Sequence, residues 1–259
     1  MDLQLAGRRL LITGASSGIG LATARLLAEE GARLALCARD EDRLRTATAD
    51  LGARTDVVTA SCDVTSRASV DAFVATAVDR LGGLDGVVCN AGRSLMRSLD
   101  ETTDEEIRDE FDLKIFGALH VIRATRTALA ASDRGAVVIV NAILSRQPET
   151  RLAVTSAARA GLLNLSSSLA EELAADGTRV NSVLLGLIDT GQWQRRFAES
   201  GADDFAAWSA EIADDRGIAL GRFGSADELA FPIATLLSPR NSYTTGATLE
   251  VGGGVHRYV

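Results

Sequence analysis

The stretch Arg9-Leu10-Leu11-Ile12-Thr13-Gly14-Ala15-Ser16-Ser17-Gly18-Ile19-Gly20 decides how the rest of the chain is read. Arg9 to Thr13 has the length and the Leu/Ile content of a buried strand, and it runs straight into a glycine-rich turn, after which Leu21 to Glu30 reads as a helix. Glycines at such a junction let the backbone turn sharply and come close to a pyrophosphate, which then rests against free amides and the positive end of the helix dipole. A glycine-rich turn alone is weak evidence. Its place between a strand and a helix, at the head of an alternating chain, makes it strong.

Outward from this stretch the alternation continues. Short runs rich in Val, Ile and Leu recur at Arg33 to Ala38, Asp56 to Ser61, Gly86 to Cys89, Ala136 to Asn141, Arg179 to Leu184 and Thr248 to Val251, with longer helical patterns between them. A parallel sheet covered on both faces buries the side chains on both sides of each strand, so its strands read as continuous apolar runs. The expected fold class is α/β: a single-domain, Rossmann-like, doubly wound, seven-stranded parallel sheet flanked by helices, spanning residues 1–259. Two helix starts carry capping boxes, Thr103 with Glu106 and Ser225 with Glu228. Residues 191–221 have no clear strand character and contain Trp193, Trp208, Arg195, Arg196 and the Asp214, Asp215 pair. They are expected to form a substrate-side lid insertion, with a surface helical hairpin as the alternative.

Composition narrows the function. A chain of 259 residues with 46% apolar content buries one large core. Its net charge of -8 argues against nucleic acid, whose phosphates are held by clustered Lys and Arg. The amino-terminal stretch has no basic region followed by a long apolar run, and no segment approaches the roughly 18 apolar residues of a membrane span, so no membrane association and a cytoplasmic location are expected. Cys37, Cys62 and Cys89 fall at strand ends without the short paired spacing of zinc ligands and read as structural thiols. His120 and His256, the only histidines, lie far apart, so neither a metal centre nor a histidine-dependent triad is expected.

The TGASSGIG segment at Thr13 to Gly20, Asn90-Ala91-Gly92, Gly221-Arg222-Phe223-Gly224 and Val251-Gly252-Gly253 together resemble the motifs of the classical short-chain dehydrogenase/reductase family, over essentially the whole chain. The resemblance implies a nicotinamide dinucleotide whose pyrophosphate meets Gly14, Ser16, Ser17, Gly18, Ile19 and Gly20. It implies adenine near Asp63 and Val64, a ribose lined by Asn90, Ala91 and Gly92, and a nicotinamide amide held by Ile188 and Thr190. Leu185-Gly186 stands where the family has Pro-Gly. A homotetramer or homodimer acting on a small-molecule substrate is also implied. Cofactor choice rests on the end of the second strand, where a carboxylate would accept the ribose hydroxyls of NAD; Ala38 and Arg39 occupy that place, and a guanidinium there favours NADP(H) over NAD(H).

The chemical positions depart from the family. Flanking residues set the register: Gly135 to Val140 matches the strand before the family's serine, placing Ala142 at that serine. Ala158-Arg159-Ala160-Gly161 matches the lysine segment, placing Arg159 at the lysine and Thr155 at the tyrosine; Phe111 to Gly117 matches the asparagine helix, placing Lys114 at the asparagine. A phenol has a reference pKa near ~10 and an adjacent cation lowers it, whereas threonine is a far weaker acid. Losing a placed general acid costs roughly 10²- to 10⁴-fold. Lys114, its pKa lowered by a second cation and by burial, and Arg159, as an electrostatic clamp, are the groups expected to replace it, with Asn141, Ser145 or Ser156 substituting for the serine, and Asn141 the best placed. Arg93 is a candidate to meet an anionic substrate. Tyr243 or Tyr258 of a neighbouring subunit would restore an ordinary mechanism if either filled the vacant phenol position. The leading expectation is an atypical oxidoreductase using NADP(H) for hydride transfer to or from a small carbonyl or hydroxyl compound. A non-redox lyase or isomerase, or a non-catalytic nucleotide-binding protein, are the alternatives on the same fold.

Overall fold

The computed structural model describes residues 2–258; residues 1 and 259, the ends of the expected domain, lie outside the described residues. Seven strands, β1 (Arg9–Thr13), β2 (Arg33–Ala38), β3 (Val57–Ser61), β4 (Gly86–Cys89), β5 (Ala136–Ala142), β6 (Arg179–Leu185) and β7 (Thr248–Val251), form one sheet in the order β3-β2-β1-β4-β5-β6-β7. Every neighbouring pair is parallel. The chain winds outward from β1 to β3, then crosses back to lay β4 on the other side of β1. That reversal opens a crevice at the carboxyl ends of β1 and β4, the place where doubly wound sheets bind ligands.

Helices α1 (Gly18–Glu29), α2 (Glu41–Ala47) and α9 (Ala226–Leu237) accompany one layer, while α3 (Arg67–Leu81), α5 (Gly117–Ala130) and α6 (Ala153–Ala174) cover the opposite face. Two separate apolar clusters result. One joins Leu27 of α1 and Ile233 of α9 to Leu10, Ile12, Leu34 and Val138; the other joins Phe73, Ile122 and Leu162 to Leu11, Ala35, Val87 and Val137. Consecutive strand residues thus alternate between the two clusters, as the pleat requires. Each fully buried Leu or Ile contributes about 1.5–3 kcal/mol, and this rigid sheet holds the loops at its carboxyl end.

Both capping boxes form: Thr103 starts α4 (Asp104–Phe111) with Glu106, and Ser225 starts α9 with Glu228. Between α4 and α5 the helix does not break but widens into a π turn over Asp112–Phe116, a distortion that recurs at functional sites. Residues 191–221 contain α7 (Gly191–Ser200) and α8 (Phe205–Asp215), a helical hairpin held by an aromatic cluster of Trp193, Phe197, Phe205, Trp208 and Phe223. The hairpin alternative therefore describes its form, and the cleft-facing residues of the hairpin also form a wall of the crevice. Among the described residues no helix is long and apolar enough to cross a membrane.

Candidate active site

The crevice is a cleft of about 830 Å³. One wall is the glycine turn. Gly14 has φ +68°, a left-handed conformation, and a methyl group added there would lie 2.9 Å from Cα of Ala91. At Gly20 it would lie 2.6 Å from Asn90 Nδ2 and closer still to the Gly14 carbonyl. Asn90 donates its amide to the carbonyls of Thr13 (3.0 Å) and Gly14 (3.1 Å), tying the loop after β4 to the glycine turn. Its amide donors hold the cradle together while the residue itself lines the cleft.

Two helices present their amino termini to this space, α1 through Ser17, Gly18 and Ile19, and α7 through Thr190 and Gly191. Their N-cap residues, Ser17 and Thr190, have extended backbones, and neither side chain caps its own helix. Hydroxyls at helix starts normally satisfy a free amide. Here two helix starts keep both the hydroxyl and the amides for a ligand, which suits an anion. Ile188 lies beside Thr190, its segment fixed by Asp189 N–H donating to Gly224 O (2.8 Å) and Gly224 N–H to Leu187 O (2.9 Å). Gly186 satisfies the turn that has lost its usual proline, since a methyl there would come within 2.7 Å of Gly252 Cα.

The other end of the cleft is lined by Asp63, Val64, Arg39 and Arg43. Asp63 accepts from Thr65 N–H (3.0 Å) and the Thr65 hydroxyl (2.8 Å), and these bonds hold its carboxyl below the usual range. Asp40 follows Arg39 directly in sequence, and its side chain caps α2 by accepting from Arg43 N–H (2.9 Å). Arg43 was not singled out from the sequence. Its spacing of one helical turn from Arg39 was the available signal. Every expected cofactor residue except Gly20 lines the cleft, and Gly20 supports it from behind. The donors, the shape and the paired helix starts fit a nicotinamide dinucleotide.

The chemical positions are arranged differently from expectation. Arg159 lines the cleft, although only 8% of its surface is exposed, and donates to Val140 O (3.0 Å). Burial lowers its pKa to about 10, against the opposing pull of Glu110, so it remains a cation at neutral pH. Its Nε is buried without a partner. Lys114 lies deeper. It is brought to Arg159 around a small void of about 20 Å³, room for one water-sized molecule, and that void shares Val64, Ala91, Leu113, Val140 and Arg159 with the cleft. Lys114 Nζ donates to the Arg93 carbonyl and sits 3.1 Å from Glu110 Oε1. Burial, then Arg159, lowers its pKa to about 8, with Glu110 opposing.

Thr155 and Asn141 do not line the cleft. Thr155 is completely buried and absent from the cleft wall; its hydroxyl donates to Glu110 Oε1 at 2.5 Å and accepts from Leu95 N–H at 3.2 Å. Asn141 points away from the cleft because its strand neighbours Val140 and Ala142 take the cleft side of the pleat. Its amide donates to Arg159 O (3.1 Å) and its carbonyl accepts from Ala142 N–H (2.9 Å), so it positions the helix that carries Arg159. Ser145 donates to Ala142 O (2.7 Å) and Ser156 is buried off the cleft. Tyr243 is fully exposed and Tyr258 lies under Arg146, neither lining the cleft of its own chain.

Glu110 is a second residue that sequence reading missed. It is 1% exposed, and one of its oxygens contacts both the Lys114 ammonium and the Thr155 hydroxyl. Its position one helical turn before Lys114 was the signal that could have found it.

Fold and cleft together define a dinucleotide-binding α/β protein of the doubly wound class. The family profile described as enoyl-(acyl carrier protein) reductase matches residues 14–256. The chain is 30% identical to the 3-oxoacyl-acyl-carrier-protein reductase FabG of Vibrio cholerae, covering 98% of this chain and 99% of that one. An NADPH-bound short-chain oxidoreductase from Pseudomonas aeruginosa PAO1, described as containing an atypical catalytic center, superposes with a TM-score of 0.94 at 42% identity, covering 98% and 99% of the two chains. L-sorbose reductase from Gluconobacter frateurii, complexed with NADPH and L-sorbose, gives 0.95 at 32% identity over 100% of both. The chain belongs to the short-chain dehydrogenase/reductase family and is an NAD(P)-dependent oxidoreductase.

Proposed function

We propose that this protein is an NADP(H)-preferring reductase of a small carbonyl compound, or its reverse, in which Arg159 and Lys114 replace the family's tyrosine and lysine. The observation that carries this reading is the Arg159 guanidinium on the cleft wall with the Lys114 ammonium behind it across a shared void. When bound, the dinucleotide supplies or takes the hydride. Arg159 supplies fixed positive charge where a carbonyl oxygen becomes an alkoxide, and it cannot give up its proton at neutral pH. Lys114, with a pKa near 8, holds the transferable proton at Nζ, and the void it lines shares walls with the cleft. Glu110 keeps that lysine charged and in place, and Thr155 orients Glu110. A buried cation is worth more here than in water because little solvent screens it.

NADP preference is supported by Arg39 and Arg43 at the adenosine end and by the use of Asp40 as a helix cap. Assembly as a homodimer or homotetramer belongs to the same reading, and the exposed Phe116 and Phe231 support it. The test is stopped-flow oxidation of NADPH and NADH over a panel of aldehydes, ketones and conjugated carbonyls. Turnover faster with NADPH supports the proposal, and conversion of substrate with no change in nicotinamide absorbance would transfer the site to non-redox chemistry.

A further inference from the structure

The hairpin of residues 191–221 brings to the cleft a charge that the reading above does not use. Arg196 on α7 lines the cleft, and its guanidinium carbon lies 4.6 Å from the centre of the Trp193 ring. Among the described residues Arg196 makes no ion pair and no hydrogen bond, as is also true of Arg195 beside it, whereas two other arginines of the cleft are engaged. Arg216 is paired with Glu149, and Arg93 reaches Asp109 at 3.9 Å. Arg196 is also partly buried, and this burial, followed by the field of Arg216, disfavours its charge against the opposing pull of Glu199 and Glu149. A partly buried guanidinium held against an indole face and bonded to no protein acceptor is desolvated on one side and open to an anion on the other. The indole contact restrains the side chain, and its donors, bonded to no protein group, suit a carboxylate or phosphate held through two parallel hydrogen bonds. The same cleft is lined in part by the apolar side chains of Leu144, Leu152 and Met96.

We propose that Arg196 is a substrate-anion site: the carbonyl substrate carries a carboxylate or phosphate at the end remote from the reacting carbon, on an apolar body, and this anion docks on the Arg196 fork. The inference rests on the reductase reading for the identity of the reacting group, but the anion site itself is measurable without turnover.

The experiment has two arms. In the first, NADPH-dependent reduction is compared for straight-chain oxo acids of graded length, matched oxoalkyl phosphates and the matched neutral primary amides. At least one anionic series is expected to exceed its amide by tenfold or more in kcat/KM, through KM, and the length at which this occurs reports the span from Arg159. Arg196→Gln should collapse that ratio toward one, Arg196→Lys should recover part of it, and Arg25→Gln on the exposed face of α1 should leave it intact. In the second arm, the NADP⁺-loaded protein is titrated calorimetrically with saturated carboxylates, alkyl phosphates and amides of the preferred lengths. Tighter binding of an anionic series, lost in Arg196→Gln, supports the site even if no carbonyl is reduced, in which case only the reductase reading fails. Equal turnover and equal binding of anions and amides, or an anion preference unchanged in Arg196→Gln, would overturn the site while leaving the reductase reading untouched.

Discussion

Oε1 of Glu110 lies 2.5 Å from the hydroxyl of Thr155, and the same oxygen is 3.1 Å from Nζ of Lys114. The hydroxyl at the family's tyrosine position is therefore committed to a buried carboxylate rather than to the cleft. Thr155→Val keeps the shape and removes both hydrogen bonds, leaving Glu110 and the Leu95 amide short of a partner. The expected cost is about 1–3 kcal/mol of stability in denaturant unfolding. Turnover should change less than about tenfold, because a group that does not touch the substrate lacks the ~10²- to 10⁴-fold leverage of a general acid. A loss of that larger size in a stably folded variant would place the hydroxyl in the reaction.

Glu110→Gln removes the one carboxylate that raises the Lys114 pKa, while burial and Arg159 continue to lower it. In the wild-type protein, carbonyl reduction should fall as pH rises through about 8, where the Lys114 ammonium is lost. The variant should show the same fall at lower pH, measured from kcat against pH with saturating NADPH. An inflection that stays in place or moves upward contradicts the assignment.

The same lysine links stability to pH. Its pKa is about 8 when folded against a reference of 10.5, so between those values the unfolded chain binds the proton and the native protein does not. Stability from this group therefore rises with pH across that window, by about 3 kcal/mol at most, and the penalty is fully present below it. Unfolding free energies of wild type and Lys114→Met, measured from pH 7.5 to 10.5 (roughly the window set by these pKa values), should differ in slope, the wild type rising more steeply.

At the adenosine end, Arg39→Asp should weaken NADPH by about 10- to 100-fold, the value of a hydrogen bond to a charged group, and should improve NADH. Arg43→Gln should weaken NADPH without helping NADH. Fluorescence titration with both nucleotides reads these shifts, and unchanged NADPH binding in Arg39→Asp would remove the basis for the cofactor preference.

The strands and the cofactor cradle were legible because local sequence determines them. A buried parallel strand writes a continuous apolar run, and β1, β2, β4 and β7 fall on the expected residues, with β3, β5 and β6 differing by one at an end. The glycine turn was equally plain, since close approach to Asn90 and Ala91 tolerates no side chain. The chemical centre was less legible because motif register gives a residue's place along an element but not the direction in which it points. Arg159 and Thr155 lie one helical turn apart on α6, yet Arg159 meets the cleft and Thr155 meets α4. Asn141 could have been set aside on strand alternation alone, with Val140 and Ala142 on the cleft side. Glu110 lay outside every motif, and in the sequence only its spacing of one helical turn before Lys114 pointed to it.

The most direct measurement is the pH dependence of single-turnover NADPH oxidation by a reducible carbonyl in wild type and in Lys114→Met/Glu110→Gln, a pair of changes that avoids leaving a buried carboxylate unpaired. The expected result is a wild-type rate that declines through about pH 8 and a double variant that is slower by about 10²- to 10⁴-fold and flat across that range. A double variant that retains the wild-type rate and the same pH profile would contradict Lys114 as the source of the proton.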